Sequence, residues 1–163
     1  MEGHIRVVVD TSIFIKLLKP DSYTRKVFYG TVAVIAPYLI YEIYKHRKRI
    51  SNFTGISEDE LMKVIGHLLE FCEIRPEIEY FDRWEEAYEL AKQFDEKDTP
   101  FVALALKLKA PIWTGDKKMI IYGLKRGKYL ALDTKAVEEL VKGKSLEDVL
   151  KDLKKRYLTS HNK

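Results

Sequence analysis

Val7-Val8-Val9-Asp10-Thr11-Ser12-Ile13-Phe14 is the stretch on which the fold turns. Ile5 to Val9 is a short, apolar, β-branched run, the composition of a strand covered on both faces. It stops abruptly at Asp10-Thr11-Ser12. Ile13 to Leu18 then carries helical spacing as far as Pro20, whose ring and missing N–H end a helix. A doubly covered strand that runs straight into a helix opens an α/β unit.

The same alternation continues along the chain. Tyr23 to Tyr29 reads as a helix ended by Gly30, and Val32 to Ala36 as a second buried strand. Pro37 opens a helix that carries Tyr38, Glu42 and Tyr44 into the basic run Lys45-His46-Arg47-Lys48-Arg49. Ser57 with Glu60 has capping-box spacing ahead of Leu61, Val64, Ile65, Leu68 and Leu69. Phe71 to Ile74 is a third candidate strand. Asp82 with Glu85 repeats the capping pattern before Trp84, Ala87, Tyr88 and Ala91. Asp98-Thr99-Pro100 starts an apolar helix through Leu108, Pro111 to Thr114 is a short strand, and Tyr129 to Leu132 is the last one. A helix from Thr134 to Val141 is closed by Gly143, and Ser145 with Asp148 opens a final amphipathic helix to about Tyr157. The predicted fold is a three-layer α/β/α domain with a mostly parallel central sheet. Residues 1–163 form one domain, with 145–163 as a basic helical extension.

A length of 163 residues suits one domain with a sizeable core. No apolar run reaches the roughly 18 residues of a membrane span. Met1-Glu2-Gly3-His4-Ile5 lacks the basic and apolar regions of a secretory signal. Cys72 is the only cysteine, so no internal disulfide forms and the expected compartment is the cytoplasm. Its apolar neighbours Leu68, Leu69, Phe71 and Ile74 make it a core thiol. The net charge of +4 is compatible with a nucleic acid partner.

Four acids carry the chemistry. In parallel sheets, sites form beyond the carboxyl ends of the strands. Asp10 ends the first strand, and Asp116 follows a later one after Thr114-Gly115. Each also reads as a helix N-cap or a turn residue. Glu42 lies among Leu39, Ile40, Tyr41 and Ile43, either on the polar edge of its helix or aimed into a site. Asp98 stands where an N-cap would stand. Taken together, carboxylates that converge repel one another unless a cation sits among them. Oxygen-only ligation favours Mg²⁺ or Mn²⁺ over Zn²⁺, and no Cys/His ligand spacing is present. Such a site suits phosphodiester hydrolysis. Basic residues around it would offset its repulsion of an RNA backbone.

These stretches resemble a known family. Val7 to Phe14 resembles the opening strand motif of PIN domains, and Pro37-Tyr38-Leu39-Ile40-Tyr41-Glu42-Ile43 their proline-led helix with its glutamate. Asp98 to Leu106 is similar to the helix bearing the third acid, and Ile112-Trp113-Thr114-Gly115-Asp116 to the strand-end Thr-x-Asp motif. All four stand in family order, and the resemblance spans residues 5 to 142. It implies a VapC-like, Mg²⁺- or Mn²⁺-dependent endoribonuclease for single-stranded RNA. Asp10, Asp98 and Asp116 would face the metal. Glu42 would bind metal or polarise the attacking water, with Ser12 and Thr114 as supporting hydroxyls. In the run Asp95-Glu96-Lys97-Asp98, Asp95 is the fallback for the third acid. A toxin of this family would be a homodimer held inactive by a small antitoxin. A stand-alone RNA-processing enzyme fits the residues equally.

Lys45, Arg47, Lys48 and Arg49 are candidates for guiding RNA phosphate. Tyr38, Tyr41 and Tyr44 read as core or interface packing ahead of base stacking. In the extension, Leu146, Val149, Leu150 and Leu153 form an apolar stripe beneath the basic Lys151, Lys154, Lys155 and Arg156. The competing class on the same fold is a non-catalytic RNA- or protein-binding module, against which all four acids argue. An aspartyl phosphatase would want an acid where Ser12 stands, and a dinucleotide fold a Gly-rich first turn.

Overall fold

The first strand, β1, spans Ile5–Val9 and lies at the centre of the sheet. It is followed by helices α1 (Thr11–Leu18) and α2 (Tyr23–Phe28), then strand β2 (Thr31–Ile35). Helices α3 (Pro37–Lys45), α4 (Arg47–Thr54) and α5 (Glu58–Leu69) lead to strand β3 (Cys72–Ile74). Helices α6 (Trp84–Ala91) and α7 (Thr99–Leu108) lead to β4 (Ile112–Trp113). Helix α8 (Lys117–Arg126), β5 (Ala131–Leu132), α9 (Thr134–Val141) and α10 (Leu146–Tyr157) complete the chain. This computed structural model describes residues 4–20 and 22–159. Met1 to Gly3, part of the start read as lacking a secretory signal's features, and residues 160–163 of the extension lie outside the described residues.

The sheet order is β3-β2-β1-β4-β5, and every pairing is parallel. The chain therefore builds outward from β1 to one edge, then returns to the other side of β1. The switch point falls between β1 and β4, where a crevice opens at the strands' carboxyl ends. Val7, Val8 and Val9 are fully buried, as a doubly covered strand requires. One helical layer is continuous through α5, α1, α2 and α9, and α6 with α7 forms the other, α7 lying against β1 and β4. Helix α7 is apolar almost all round because it is buried from Thr99 through Leu106.

Local signals explain most boundaries. The hydroxyls of Ser57 and Ser145 cap α5 and α10 by accepting from Glu60 N and Asp148 N, each at 3.2 Å. Gly143 closes α9 with φ +99°, a conformation that disfavours a side chain.

Three expectations need correction. The helix from Pro37 does not run through the basic segment: it breaks at His46, so Lys45 ends α3 while Arg47, Lys48 and Arg49 open α4. Asp82 caps nothing; its carboxylate accepts instead from Lys107 Nζ at 2.8 Å, across to α7. The stretch after Asp116, left without an element in the sequence, is α8. Among the described residues no helix is long and apolar enough to cross a membrane.

Candidate active site

Asp10 leaves β1 and is 4% exposed. Its Oδ1 accepts from Ile13 N at 3.0 Å, which caps α1, and from Ser12 Oγ at 2.8 Å. Asp116 does the same after β4: its Oδ1 accepts from Lys118 N at 2.9 Å and caps α8. Both acids are therefore caps, and both still stand at the switch point. Two hydroxyls join them. Thr114, fully buried, accepts from Asp116 N at 3.0 Å and also hydrogen-bonds the Asp10 side chain. Ser12 Oγ accepts from Gly115 N at 3.4 Å, across from α1 to the end of β4.

Glu42 reaches the same place from α3, where the Thr11 hydroxyl donates to its Oε1. Asp98 stands at the N-cap position of α7, yet its side chain makes no cap bond. Its capping role is thus absent, and its carboxyl lines the cleft. Asp95 is nearby but occupied, accepting from Lys97 N at 3.0 Å. Asp10, Glu42, Asp95, Asp98 and Asp116 line one cleft of about 360 Å³. Ser12 lines it too; Thr114 lies behind it and acts through Asp10 and Asp116.

The cleft is short of positive charge. Burial, with the carboxylates of Asp10, Asp95, Asp116 and Glu42 adding to it, pushes the Asp98 carboxyl up to about 8. Burial also raises Asp10, and Asp116 adds to the effect, against the hydrogen bonds from Thr114, Ile13 and Ser12. Oxygen donors without a lining Cys or His suit a hard divalent cation such as Mg²⁺ or Mn²⁺. Among the described residues, no three His, Cys, Asp or Glu side chains form a ready metal-binding group.

Two cations missed by sequence reasoning line the cleft, Lys16 and Lys97. Lys16 lies four residues after Ser12 on α1, so helical spacing alone puts both on one face. Its Nζ would lie 3.5 Å from a Cβ placed on Gly115, so the glycine leaves the lysine room. Lys97 was hidden inside the acidic run.

The basic segment forms a different hollow of about 370 Å³, lined by Lys45 through Arg49. It shares no lining residue with the acid cleft. Arg47 is engaged: its Nε lies 3.2 Å from Glu58 and its guanidinium 4.3 Å from the Tyr44 ring centroid. Lys45, Lys48 and Arg49 are exposed. Tyr41 and Tyr44, read as core or interface residues, are each 57% exposed and so lie outside the core, because both project from the outer side of α3. Tyr38 does pack, its ring centroid 6.2 Å from that of Phe101. Burial pushes the Cys72 thiol up to about 12, consistent with an inert residue. In the extension, Val149 and Leu153 are buried while Leu146 is exposed. Arg156 and the Tyr157 hydroxyl both bond Asp133, so Arg156 joins the packing of α10 rather than its solvated basic face.

A family model described as PIN domain matches residues 8–154, which carries the likeness into α10. The crystal structure of VapBC2 from Rickettsia felis bound to a DNA fragment from their promoter is similar in fold, with a TM-score of 0.60 at 13% identity. The likeness covers 79% of this chain and 98% of that chain. No curated protein matches the chain.

Proposed function

The chain belongs to the PIN-domain family, and from that premise we propose that it is a divalent-metal-dependent endoribonuclease acting on single-stranded RNA. The observation that carries the reading is the convergence of Asp10, Glu42, Asp98 and Asp116, from four separate elements, on one cleft at the switch point. Acids gathered at this cost to Asp98 are explained by a cation that they share.

In this reading Asp10, Asp98 and Asp116 hold Mg²⁺ or Mn²⁺, with Glu42 as a further ligand or as the group that takes a proton. A bound divalent ion supplies positive charge against the phosphate and acidifies a water. Ser12 and Thr114 hold the Asp10 carboxylate in its direction, and Thr114 also ties down the backbone of Asp116. Glu42, steadied by Thr11, accepts the proton of the attacking water. The phosphorus–oxygen bond to the departing ribose oxygen breaks, and that oxygen is protonated from solvent. Lys45, Arg47, Lys48 and Arg49 attract the RNA backbone from their own hollow, and Lys16 and Lys97 receive phosphate at the cleft. The setting is the cytoplasm. As the toxin of a toxin–antitoxin pair, the chain would form a homodimer and be blocked by a small antitoxin.

The test is cleavage of a single-stranded RNA with Mn²⁺, with Mg²⁺ and with EDTA. Asp10→Asn keeps the α1 cap but removes an ionisable carboxyl from the cleft. Activity should fall at least about a hundredfold, with the melting temperature preserved. Wild-type cleavage that persists in EDTA, or an Asp10→Asn variant as active as wild type, would sink the assignment. One observation favours a non-catalytic RNA- or protein-binding module instead: no ready three-residue metal group stands among the described residues. A wild-type chain that binds RNA and cleaves none with either metal would establish that module.

A further inference from the structure

We propose that an aromatic hollow beside the acid cleft is a nucleobase subsite, and that it restricts the chain to unpaired RNA. The inference rests on reading the acid cleft as a phosphodiester site. The hollow, of about 390 Å³, is lined by Tyr38, Trp84, Tyr88 and Pro100 together with Glu77 and Glu96. This lies at the small end of ligand-site sizes.

Two links join the hollow to the cleft. Lys97 lines both. Tyr38 lines the hollow from α3 and stands beside Glu42, which lines the cleft; its phenol is pushed up to about 12 by burial and by that carboxylate. A strand with a phosphate among the acids therefore has Lys97 at the next step and aromatic rings beyond it.

Two of the rings come from one helix. Trp84 and Tyr88 lie four residues apart on α6 and share one face of it. Trp84 rests partly buried against the core, with the exposed Phe81 ring centroid 6.0 Å from its own. Tyr88 is 41% exposed, with Lys92 Nζ 5.9 Å from its ring centroid, so its ring stays open to solvent beside a cation. Every base has a π-face, so such a platform binds an unpaired base without reading its identity. Glu77 and Glu96 repel phosphate, which keeps the backbone on the Lys97 side. A base within a helix cannot enter, because it is stacked and paired.

The experiment uses tryptophan fluorescence of the full chain in EDTA, where nothing is cleaved. The chain has two tryptophans, and Trp113 is fully buried, so contact with bases is reported by Trp84. The probe is a single-stranded oligoadenylate of about six nucleotides. Saturable quenching is expected for wild type and its loss for Trp84→Phe. Tyr88→Ala should weaken binding about tenfold, and Tyr88→Phe should restore it. Lys97→Met should weaken binding without changing the maximal quench, more so at low salt. No quench by the single strand, equal quench by a duplex, or unchanged affinity in Tyr88→Ala would overturn the subsite. RNA cleavage by a wild type that shows no quench removes the subsite alone. Quench without cleavage under Mn²⁺ or Mg²⁺ leaves the subsite standing and removes the nuclease reading.

Discussion

At the scale of single residues, Asp98 is the informative acid. An ordinary aspartate gives up its proton near 3.8, whereas burial and four neighbouring carboxylates hold that of Asp98 to about 8. Between those values the folded chain keeps a proton that the unfolded chain has released. Stability without metal therefore falls as pH rises through that window. The melting temperature of the EDTA-treated wild type should drop between about pH 5 and about pH 8, and the drop should shrink in Asp98→Asn, which has no proton to lose. Mn²⁺ should raise the melting temperature more at the upper end, because a cation binds the deprotonated carboxylate. A wild type and an Asp98→Asn variant with the same pH dependence would show that Asp98 does not carry this charge load. Asp10 and Asp116 were legible in the sequence from strand ends alone. Asp98 was named only through the family resemblance, because a residue before Thr-Pro at a helix start looks like a cap, and only the structure shows the cap bond missing.

At the scale of elements, β1, β2, α7 and α9 were legible to within a residue or two, because composition and caps agreed. Two features were not. The break at His46 has no proline or glycine to announce it, and Arg47 starts α4 without a side-chain cap. Helix α8 opens on Lys117-Lys118, cations at the positive end of the helix dipole, and contains Gly123, both of which weaken a helical reading. Gly123 is there for contact: a Cβ on it would meet Tyr129 Cε2 at 2.8 Å. That ring cannot easily move, because its hydroxyl donates to Met119 O at 2.6 Å. Gly123→Ala gains about 1 kcal/mol of helix propensity against an overpacking cost of about 1–3 kcal/mol. Net destabilisation is expected in urea unfolding, and a more stable variant would mean that the β5 side of the fold yields freely to α8.

At the scale of the whole molecule, the acid cleft and the net charge of +4 pull in opposite directions on a polyanion. Parallel topology explains why they coexist. The switch point gathers carboxylates from β1, β4, α3 and the start of α7, while the basic residues stand in a separate hollow at the junction of α3 and α4. A long-range attraction from that hollow would thus draw in the proposed RNA substrate, which the cleft alone would repel. Arg47 is a poor place to test this, since its replacement also breaks the contacts with Glu58 and Tyr44. Lys48 and Arg49 are exposed and belong to no ion pair among the described residues. Reversing both to Glu, each change worth two charges, takes the net charge from +4 to zero. Binding of single-stranded RNA should weaken strongly at low salt. The two proteins should converge as the Debye length shrinks to about 3 Å at 1 M salt, and the melting temperature should stay within about 2 °C of wild type. A loss of equal size at every salt concentration would instead mean that these side chains touch the RNA directly, and no loss would mean that the hollow plays no part in binding.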